Sequence, residues 1–437
     1  MATLFEIPHY NSLRLADSRG KTEMELFDHM AAYRGLGNIF RVNFRGEDWV
    51  CVAGLKANEW SWGHPDRWNY EFSQRGFRDV MGPTHVTQMD GPPHRAKRKA
   101  LKPGFAMSLI ARQIPAIDQA VQKFFSDRVG DTWSMMNLFM ESLTEANSKT
   151  VLVTELSPEA RRKFIRFEED FLPGISKSDE DRAAYYARPE FLELREFVFS
   201  YLKELVESRL AGQREEDNFQ TMIDQAGDRS RIPDINEWIP EAYLLLMAGT
   251  GNTARTLNCG LRFLQDEPEW YEQLRIELTG YTEDSFLSGM NGYPKLKATL
   301  MEMERIFPAA PVMPKQAAVD LEFEGYEIPT GTNVLHLQCL THFLDDIYEE
   351  PTRFKPWRWI EKDYPKKAHG TFGGSTHICL GVNLARIHMP IVLANLIRNF
   401  SLELEALPEI FVNLNYGVPQ TSELEGKLMP QVEDQPA

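Results

Sequence analysis

The sequence of 437 residues has few cysteines, no long apolar run and fewer basic than acidic residues. Its four cysteines form no Cys-x-x-Cys pair, which excludes a dense disulfide framework and is typical of free thiols in a reducing compartment. The most apolar short run, residues 242–248, is too short to span a bilayer. With 48 basic and 64 acidic residues, the formal net charge is −16. This charge argues against nucleic acid as a partner, because phosphates would be repelled.

The remaining composition is that of an ordinary globular protein. Hydrophobic residues make up 43% of the chain and charged residues 26%, which excludes a mostly disordered protein. Residues 1–30 contain no basic segment followed by an apolar stretch, so a signal peptide is not expected. We therefore expect a cytoplasmic protein without a membrane span.

The order of sequence patterns predicts one mostly α domain over residues 1–437 with a small β region. Residues 1–80 read as a β-rich part, and residues 95–230 read mainly as amphipathic helices. A long helix is predicted over 234–265. A glycine-rich loop that contains a cysteine and a following helix are predicted over 372–399, with Pro390 interrupting the helix.

The cysteine of this last segment is the sharpest chemical feature. Residues 372–381 form a glycine-rich turn that presents Cys379 just before a predicted helix. The positive end of the helix dipole and unpaired backbone N–H groups favour the thiolate, and the glycines let a flat cofactor approach the backbone. A lone thiolate suits an axial iron ligand better than zinc, which needs four ligands. A buried structural cysteine beside a turn is the alternative.

Two further motifs precede the cysteine. Glu302 and Arg305 lie at i, i+3 on one face of a helix that ends before Pro308. Residues 354–359 form an aromatic loop that contains Arg358. Each motif alone would indicate only a surface ion pair or an irregular loop.

Together, in this order and at these separations, the three motifs resemble those of the cytochromes P450, which are heme-thiolate enzymes. The matching positions are Phe372, Cys379 and Gly381 of the cysteine motif, Glu302 and Arg305 of the Glu-x-x-Arg motif, and Arg358 of the Pro-x-Arg-Phe loop. Ser375 replaces a glycine of the cysteine motif, and Trp359 replaces the phenylalanine of the loop.

This resemblance implies the P450 fold, heme b with Cys379 as the iron ligand, and a structural triad formed by Glu302, Arg305 and Arg358. It implies that two heme carboxylates are bound by cationic and N–H donors. The cofactor-binding residues that it implies are His94, Arg98, Lys315, His377, Phe372, Ala248 and Gly249. It also implies electrons from a separate ferredoxin or flavodoxin with an NAD(P)H reductase. The local basic patch at residues 95–102 is a candidate docking site for a ferredoxin-type donor.

One departure from the family bears on the chemistry. The family motif of the distal helix places an acid and an alcohol next to each other, where they serve proton delivery. Here these positions are Gly251 and Asn252, and the candidate catalytic residues are these two with Thr250 and Thr253. Glycine relays no proton, and asparagine is no acid.

Two functions from this class therefore remain open. The first is a monooxygenase that inserts one oxygen atom from O2 into a hydrophobic small molecule. The second is a peroxygenase or an isomerase or dehydratase that acts on a pre-oxidised substrate without a reductase. A non-catalytic heme sensor is a third interpretation.

The predicted substrate pocket is apolar and aromatic. Its predicted residues are Trp68, Tyr70, Phe72, Met247, Ala310 and Val312. The alternative for the aromatic residues among them is an ordinary place in the core.

Overall fold

Helices predominate among the residues that the computed structural model describes, which are 2–9, 26–44, 47–175, 177–226, 234–282, 292–404, 410–411, 420–421 and 424–431. The prediction of a mostly α fold with a small β region is confirmed. The helices are α1 (Leu26–Leu36), α2 (Leu55–Gly63), α3 (Arg75–Met81), α4 (Gly91–Leu101), α5 (Met107–Ser126), α6 (Met135–Thr150), α7 (Pro158–Ile175), α8 (Asp179–Tyr186), α9 (Pro189–Leu210), α10 (Asn218–Ala226), α11 (Ile235–Met247), α12 (Thr250–Leu264), α13 (Pro268–Leu278), α14 (Pro294–Ile306), α15 (Arg358–Glu361) and α16 (Val382–Asn399).

The strands form small sheets. They are β1 (Ile39–Phe44), β2 (Glu47–Ala53), β3 (Trp68–Asn69), β4 (Thr132–Ser134), β5 (Met313–Ala317), β6 (Leu321–Phe323), β7 (Tyr326–Ile328), β8 (Asn333–Leu337), β9 (Phe400–Leu404), β10 (Ile410–Phe411), β11 (Gln420–Thr421) and β12 (Glu425–Pro430). The main sheet has the strand order β1-β2-β8-β5-β3, with β2 and β8 parallel and its other pairs antiparallel. Smaller sheets pair β4-β12-β9, β6-β7 and β10-β11.

The core lies where α5, α6, α12 and α16 pack together. Helix α5 contacts α6 and α16, while α12 contacts both α6 and α16. Helix α16 is apolar on nearly all sides, as expected for a helix in the centre of a large domain. Within the described part, no helix combines the length and the apolar character that crossing a membrane requires.

The helix predicted over 234–265 is in fact two helices, α11 and α12, separated by Ala248 and Gly249. Glycine is a poor helix former, so a break at this position has a local cause. The N–H of Ala248 still bonds the Leu244 carbonyl at 3.2 Å, and the N–H of Thr253 bonds the Gly249 carbonyl at 3.0 Å. The break is therefore short. Side chains at the end of α11 and at the start of α12 lie close together and face the same part of the protein.

The prediction that Pro390 interrupts the last helix was wrong. Helix α16 runs through it, because Ile391, Val392 and Leu393 are fully buried and tertiary packing outweighs one missing hydrogen bond. The predicted β-rich part over residues 1–80 is mixed, since its described residues form α1, α2 and α3 beside β1, β2 and β3. Strand β5 was not predicted.

Candidate functional site

The cysteine loop, residues 372–381, leads into α16. The N–H of Cys379 donates to the Phe372 carbonyl at 2.9 Å, which closes the loop, and Gly381 caps the helix. Both Phe372 and Cys379 line a cavity of about 420 Å³. The Cys379 side chain is exposed to this cavity, but desolvation by the surrounding protein raises the pKa of its thiol, whereas hydrogen bonding to Gly381 and the charge of Arg98 lower it. A bound metal ion would favour the thiolate over the thiol, because a coordinating thiol loses its proton.

Ser375 has a left-handed backbone conformation, with φ at +64°. Gly373 in the same loop has φ at +67°. A Cβ on Gly374 would lie 2.4 Å from the Trp62 ring, so that position has no room for a larger residue. The serine at 375 therefore occupies a conformation that favours glycine, and the turn is retained with local strain.

We predict that Ser375→Gly increases the free energy of unfolding by about 0.5 kcal/mol. Relief of roughly 1–2 kcal/mol of left-handed strain exceeds roughly 0.4–1 kcal/mol of added unfolded-state entropy. Thermal or denaturant unfolding measures the change. Thr376→Gly is the matched control and should lower stability, since Thr376 has no positive φ. Equal losses in both variants would contradict a strained loop.

The predicted triad is assembled around the carboxylate of Glu302 at the end of α14. Arg305 donates to it twice, with Nε–Oε2 and Nη2–Oε1 distances of 2.8 Å each. Arg358 Nε lies 3.2 Å from Oε1, and the Trp359 indole N–H donates to Oε2 at 2.9 Å. Both members of the Glu302–Arg305 pair are fully buried. Trp359, which replaces the family phenylalanine, thus adds a hydrogen bond to the carboxylate.

The end of α14 is also tied to the residues that precede the cysteine loop. His342 bonds the Arg305 carbonyl through Nδ1 at 2.8 Å and accepts the Gly370 N–H through Nε2 at 2.8 Å. The Thr371 hydroxyl donates to the Glu304 carbonyl at 3.1 Å. His342 was not identified from the sequence, because no local motif marks a histidine that bridges two distant segments.

Three of the predicted carboxylate-binding residues meet beside the cysteine loop. The His94 and His377 rings stack with centroids 4.0 Å apart, and Tyr70 stacks on His377 at 3.7 Å. Arg98 lines the cavity with His377 and donates through Nη2 to the Ile378 carbonyl at 2.7 Å. Among the described residues, the buried Nε2 atom of His94 has no hydrogen-bond partner. An anionic group at this edge would meet a guanidinium and two imidazoles.

The fourth predicted residue, Lys315, is 1% exposed on β5 and is not among the residues that line the cavity. Its ammonium group contacts the Ser61 hydroxyl, and its Nζ lies 3.3 Å from His336 Nδ1 and 4.4 Å from the Trp68 ring centroid. Burial lowers the pKa of Lys315 to about 7. We keep a role in binding a heme carboxylate as a prediction for Lys315.

The break between α11 and α12 and the start of α12 supply the distal wall. Ala248, Gly249, Asn252 and Thr253 line the cavity, and the Asn252 amide donates to the Ala248 carbonyl at 3.1 Å. Thr250 is absent from the lining residues. Its hydroxyl donates to the Leu246 carbonyl at 3.1 Å and accepts from the Asn147 amide at 3.2 Å.

Gly251 also lies outside the cavity wall, and its missing side chain has a structural reason. A Cβ at this position would lie 2.4 Å from Glu168 Oε1 and 3.0 Å from Arg255 Nη1. The carboxylate of Glu168 on α7 thus takes the space of a side chain at position 251. No sequence pattern indicated that a glutamate from another helix reaches the acid position of the motif.

Three of the six predicted pocket residues line the cavity: Tyr70, Ala310 and Val312. The lining residues that the sequence did not indicate include Gln74, Leu172, Ile175, Leu244 and Leu245. The other three lie elsewhere. Trp68 packs edge-on against Trp60, Phe72 is 37% exposed, and Met247 is fully buried in the core.

The residues of this cavity fit heme b. The Cys379 thiol, the wall at Ala248 and Gly249, and a cationic edge formed by Arg98 beside His377 surround one space. His94 lies next to this space, in a neighbouring pocket that it shares with His377. The unpartnered His94 Nε2 provides a position for a carboxylate oxygen. Cys379 would hold the iron, while His94, Arg98 and His377 would hold the carboxylates.

Comparisons with known proteins show the family of the chain. Residues 182–420, more than half of the chain, match the family model of cytochrome P450. The chain is 24% identical to a steroid (22S)-hydroxylase of Brachypodium distachyon over 408 residues, covering 88% of this chain and 78% of that protein. It is 25% identical to a cholesterol 22-monohydroxylase of Paris polyphylla over 407 residues, covering 87% and 82%.

The solved structure of a retinoic acid-bound cyanobacterial P450, CYP120A1, has the same fold. Its TM-score is 0.80 at 20% sequence identity, and the match covers 98% of this chain and 99% of that one. The chain belongs to the cytochrome P450 family and is a heme-dependent monooxygenase of the oxidoreductase class.

Proposed function

We propose that the protein inserts one oxygen atom from O2 into a hydrophobic small molecule, with electrons from a separate donor. The observation that carries this proposal is that Cys379, Asn252 and a set of apolar side chains border a single cavity. Bound heme would supply the iron and the oxygen-activating redox chemistry. The chain supplies the thiolate, the cationic edge and the apolar space.

The distal part of the cavity favours an apolar substrate. Its lining includes Phe77, Leu172, Ile175, Leu244 and Val312. Apolar walls bind by removing hydrophobic surface from water, and a few polar groups then fix the orientation. The named relatives act on a steroid and on cholesterol, so steroids are the first substrate class to test.

The polar groups of the wall are Gln74, Asn252 and Thr253 among others. Gln74 is nearly buried, and its amide lies 3.4 Å from the Met313 sulfur, a weak acceptor. We propose that Gln74 binds a polar group of the substrate. Asn252 uses one N–H on the Ala248 carbonyl, and its other hydrogen-bonding positions can hold water near the reacting atoms.

We propose a ferredoxin or flavodoxin, with an NAD(P)H reductase, as the electron donor. The exposed Lys99 and Lys102 at the end of α4 provide positive charge that an acidic protein would recognise, whereas Arg95 is paired with Asp66 at 3.0 Å. We also propose that the protein acts in the cytoplasm, because its cysteines are free thiols, and those other than Cys379 are buried.

We predict that steroids or other apolar ligands convert the heme-loaded ferric protein to high spin in a saturable way. Val312→Trp should weaken this binding by roughly tenfold or more, because the indole fills the space beside Ala310. The spectral titration measures the change, and the carbon-monoxide complex checks that heme is still bound. Val319→Trp is the matched control, since Val319 is 46% exposed outside the site. Equal titrations for both variants would contradict the assigned pocket.

The second candidate function is a reductase-independent peroxygenase or an isomerase or dehydratase. It is favoured by the replacement of the acid and the alcohol by Gly251 and Asn252. Product formation from a peroxide substrate without NAD(P)H and donor protein would support it. Strict dependence on both would support the monooxygenase.

A further inference from the structure

Three buried polar side chains, each with an atom that lacks a hydrogen-bond partner, meet near Gly251. Within the described part of the chain, the unpartnered atoms are Glu168 Oε2, Tyr243 Oη and Arg255 Nη1. Buried polar atoms of this kind are normally satisfied by ordered water or by a ligand. The three groups interact electrostatically, and the Glu168 carboxylate accepts a hydrogen bond from the Gly251 backbone. They form a polar cluster, here called the Glu168 cluster, behind the distal wall.

The Glu168 cluster lies next to the reaction space through all three of its helices. On α7, Leu172 is one turn after Glu168 and lines the cavity. On α11, Leu244 follows Tyr243 and lines it as well. On α12, Asn252 follows Gly251 and lines it too. The three side chains of the cluster are therefore next in the chain to residues that line the cavity, or one helical turn from them.

We propose that the Glu168 carboxyl relays protons for oxygen activation through water held by Tyr243 and Arg255. This carboxyl extends from α7 into the gap at Gly251. Glu168 does not touch the reacting atoms but acts on them through water, so it is a positioning residue and not a catalytic residue. This proposal rests on the proposed monooxygenase function. It also explains how a chain with Gly251 at the acid position retains an acid at that place.

The reaction defines what the relay must deliver. One O2, one C–H bond, two electrons from the one-electron donor protein and two protons give one C–OH group and one water. The protons go to the oxygen atom that leaves as water. Glu168 gives up a proton toward the Asn252 side and regains one from solvent through the same water.

The charges around Glu168 suit reversible proton exchange. The titratable groups that face it are Glu169 on α7, Tyr243 on α11 and Arg255 on α12. Burial raises the pKa of Glu168 to about 7, while Arg255 and the Gly251 backbone oppose this shift. A carboxyl with this pKa is partly protonated at neutral pH, which is the condition for efficient proton transfer.

The test compares Glu168→Gln with the matched control Glu169→Gln. The heme-loaded protein, the donor system and a substrate that shifts the spin state are used. We expect Glu168→Gln to lower the O2-dependent rate by roughly 100-fold and to remove the pH dependence near neutrality, whereas Glu169→Gln keeps both. Substrate-induced spin shifts should be unchanged in both variants. A wild-type rate and pH profile in Glu168→Gln, or equal losses in both, would overturn the relay.

A second readout needs no turnover. Burial raises the pKa of both Glu168 and Glu304 to about 7, so the infrared C=O absorption of protonated carboxyls should titrate near pH 7. The Glu168 component of this band should be missing in Glu168→Gln and present in the wild type and in Glu169→Gln. An unchanged band in Glu168→Gln would overturn the assignment. If this band behaves as expected but the wild type forms product without consuming O2, the proposed function fails and the acid remains identified.

A relocation variant separates the acid from the fold. The double change Glu168→Ala with Gly251→Asp moves the carboxyl onto α12, into the space that Glu168 Oε1 vacates. We expect it to recover at least tenfold of the rate lost in Glu168→Ala. Gly251→Asp alone should impair folding, since its Cβ would collide with the Glu168 carboxylate. No recovery in a folded double variant with a normal carbon-monoxide spectrum would contradict the relay.

Discussion

Replacing Cys379 by alanine is expected to abolish the heme-thiolate spectrum of the reduced carbon-monoxide complex and all O2-dependent turnover. Cys379 is the cysteine that lines the cavity, next to Phe372 and Gly381, and its sulfur is the group that can hold the iron. The loss of turnover should exceed that of any other single change in the described site. Absorption spectra of the reduced protein with and without carbon monoxide measure the effect.

Cys51→Ala is the control for this experiment. Cys51 is fully buried on β2, and burial raises the pKa of its thiol, so it should serve only packing. This variant should keep the thiolate-type spectrum at a modest loss of stability. An unchanged spectrum in Cys379→Ala would show that another residue ligates the iron.

The second large effect is expected for Glu302→Gln, which should lower the free energy of unfolding by about 3–5 kcal/mol. Removing the charge leaves Arg305 and Arg358 buried without their carboxylate. The cost arises mainly from these uncompensated cations rather than from the loss of a favourable pair. Denaturant unfolding measures stability, and heme content reports whether the cysteine loop remains in place.

The chain contains a matched control for this pair. Glu272 and Arg275 on α13 have the same i, i+3 spacing and the same two 2.8 Å hydrogen bonds, but their side chains are 49% and 31% exposed. Glu272→Gln should therefore change stability very little, since surface ion pairs contribute little. Similar losses in both variants would show that burial does not set the cost.

The parts of the site that were predicted are those with local sequence signals. Cys379 is marked by its glycine-rich turn, and Glu302 with Arg305 by helical spacing. The structure brings Arg358 to them, as the family resemblance implied. The break before α12 was not predicted, although Gly249, a poor helix former, gives a local signal for it.

The remaining features depend on contacts between distant segments. Glu168 lies in an ordinary amphipathic helix, and its position at Gly251 follows only from the packing of α7 against α6 and α11. His342 lies in an irregular segment and connects Arg305 to Gly370. Phe72 and Met247 were expected in the pocket, but tertiary packing decides the direction of both side chains.

The most direct test of the monooxygenase function uses isotopically heavy dioxygen. The heme-loaded protein is incubated with an apolar substrate that shifts its spin state, a ferredoxin-type donor and NAD(P)H. The account predicts one heavy oxygen atom in each product molecule, with no product when donor or O2 is omitted. Product formed without O2 and without reductant, from a peroxide substrate that keeps its own oxygen atoms, would contradict it.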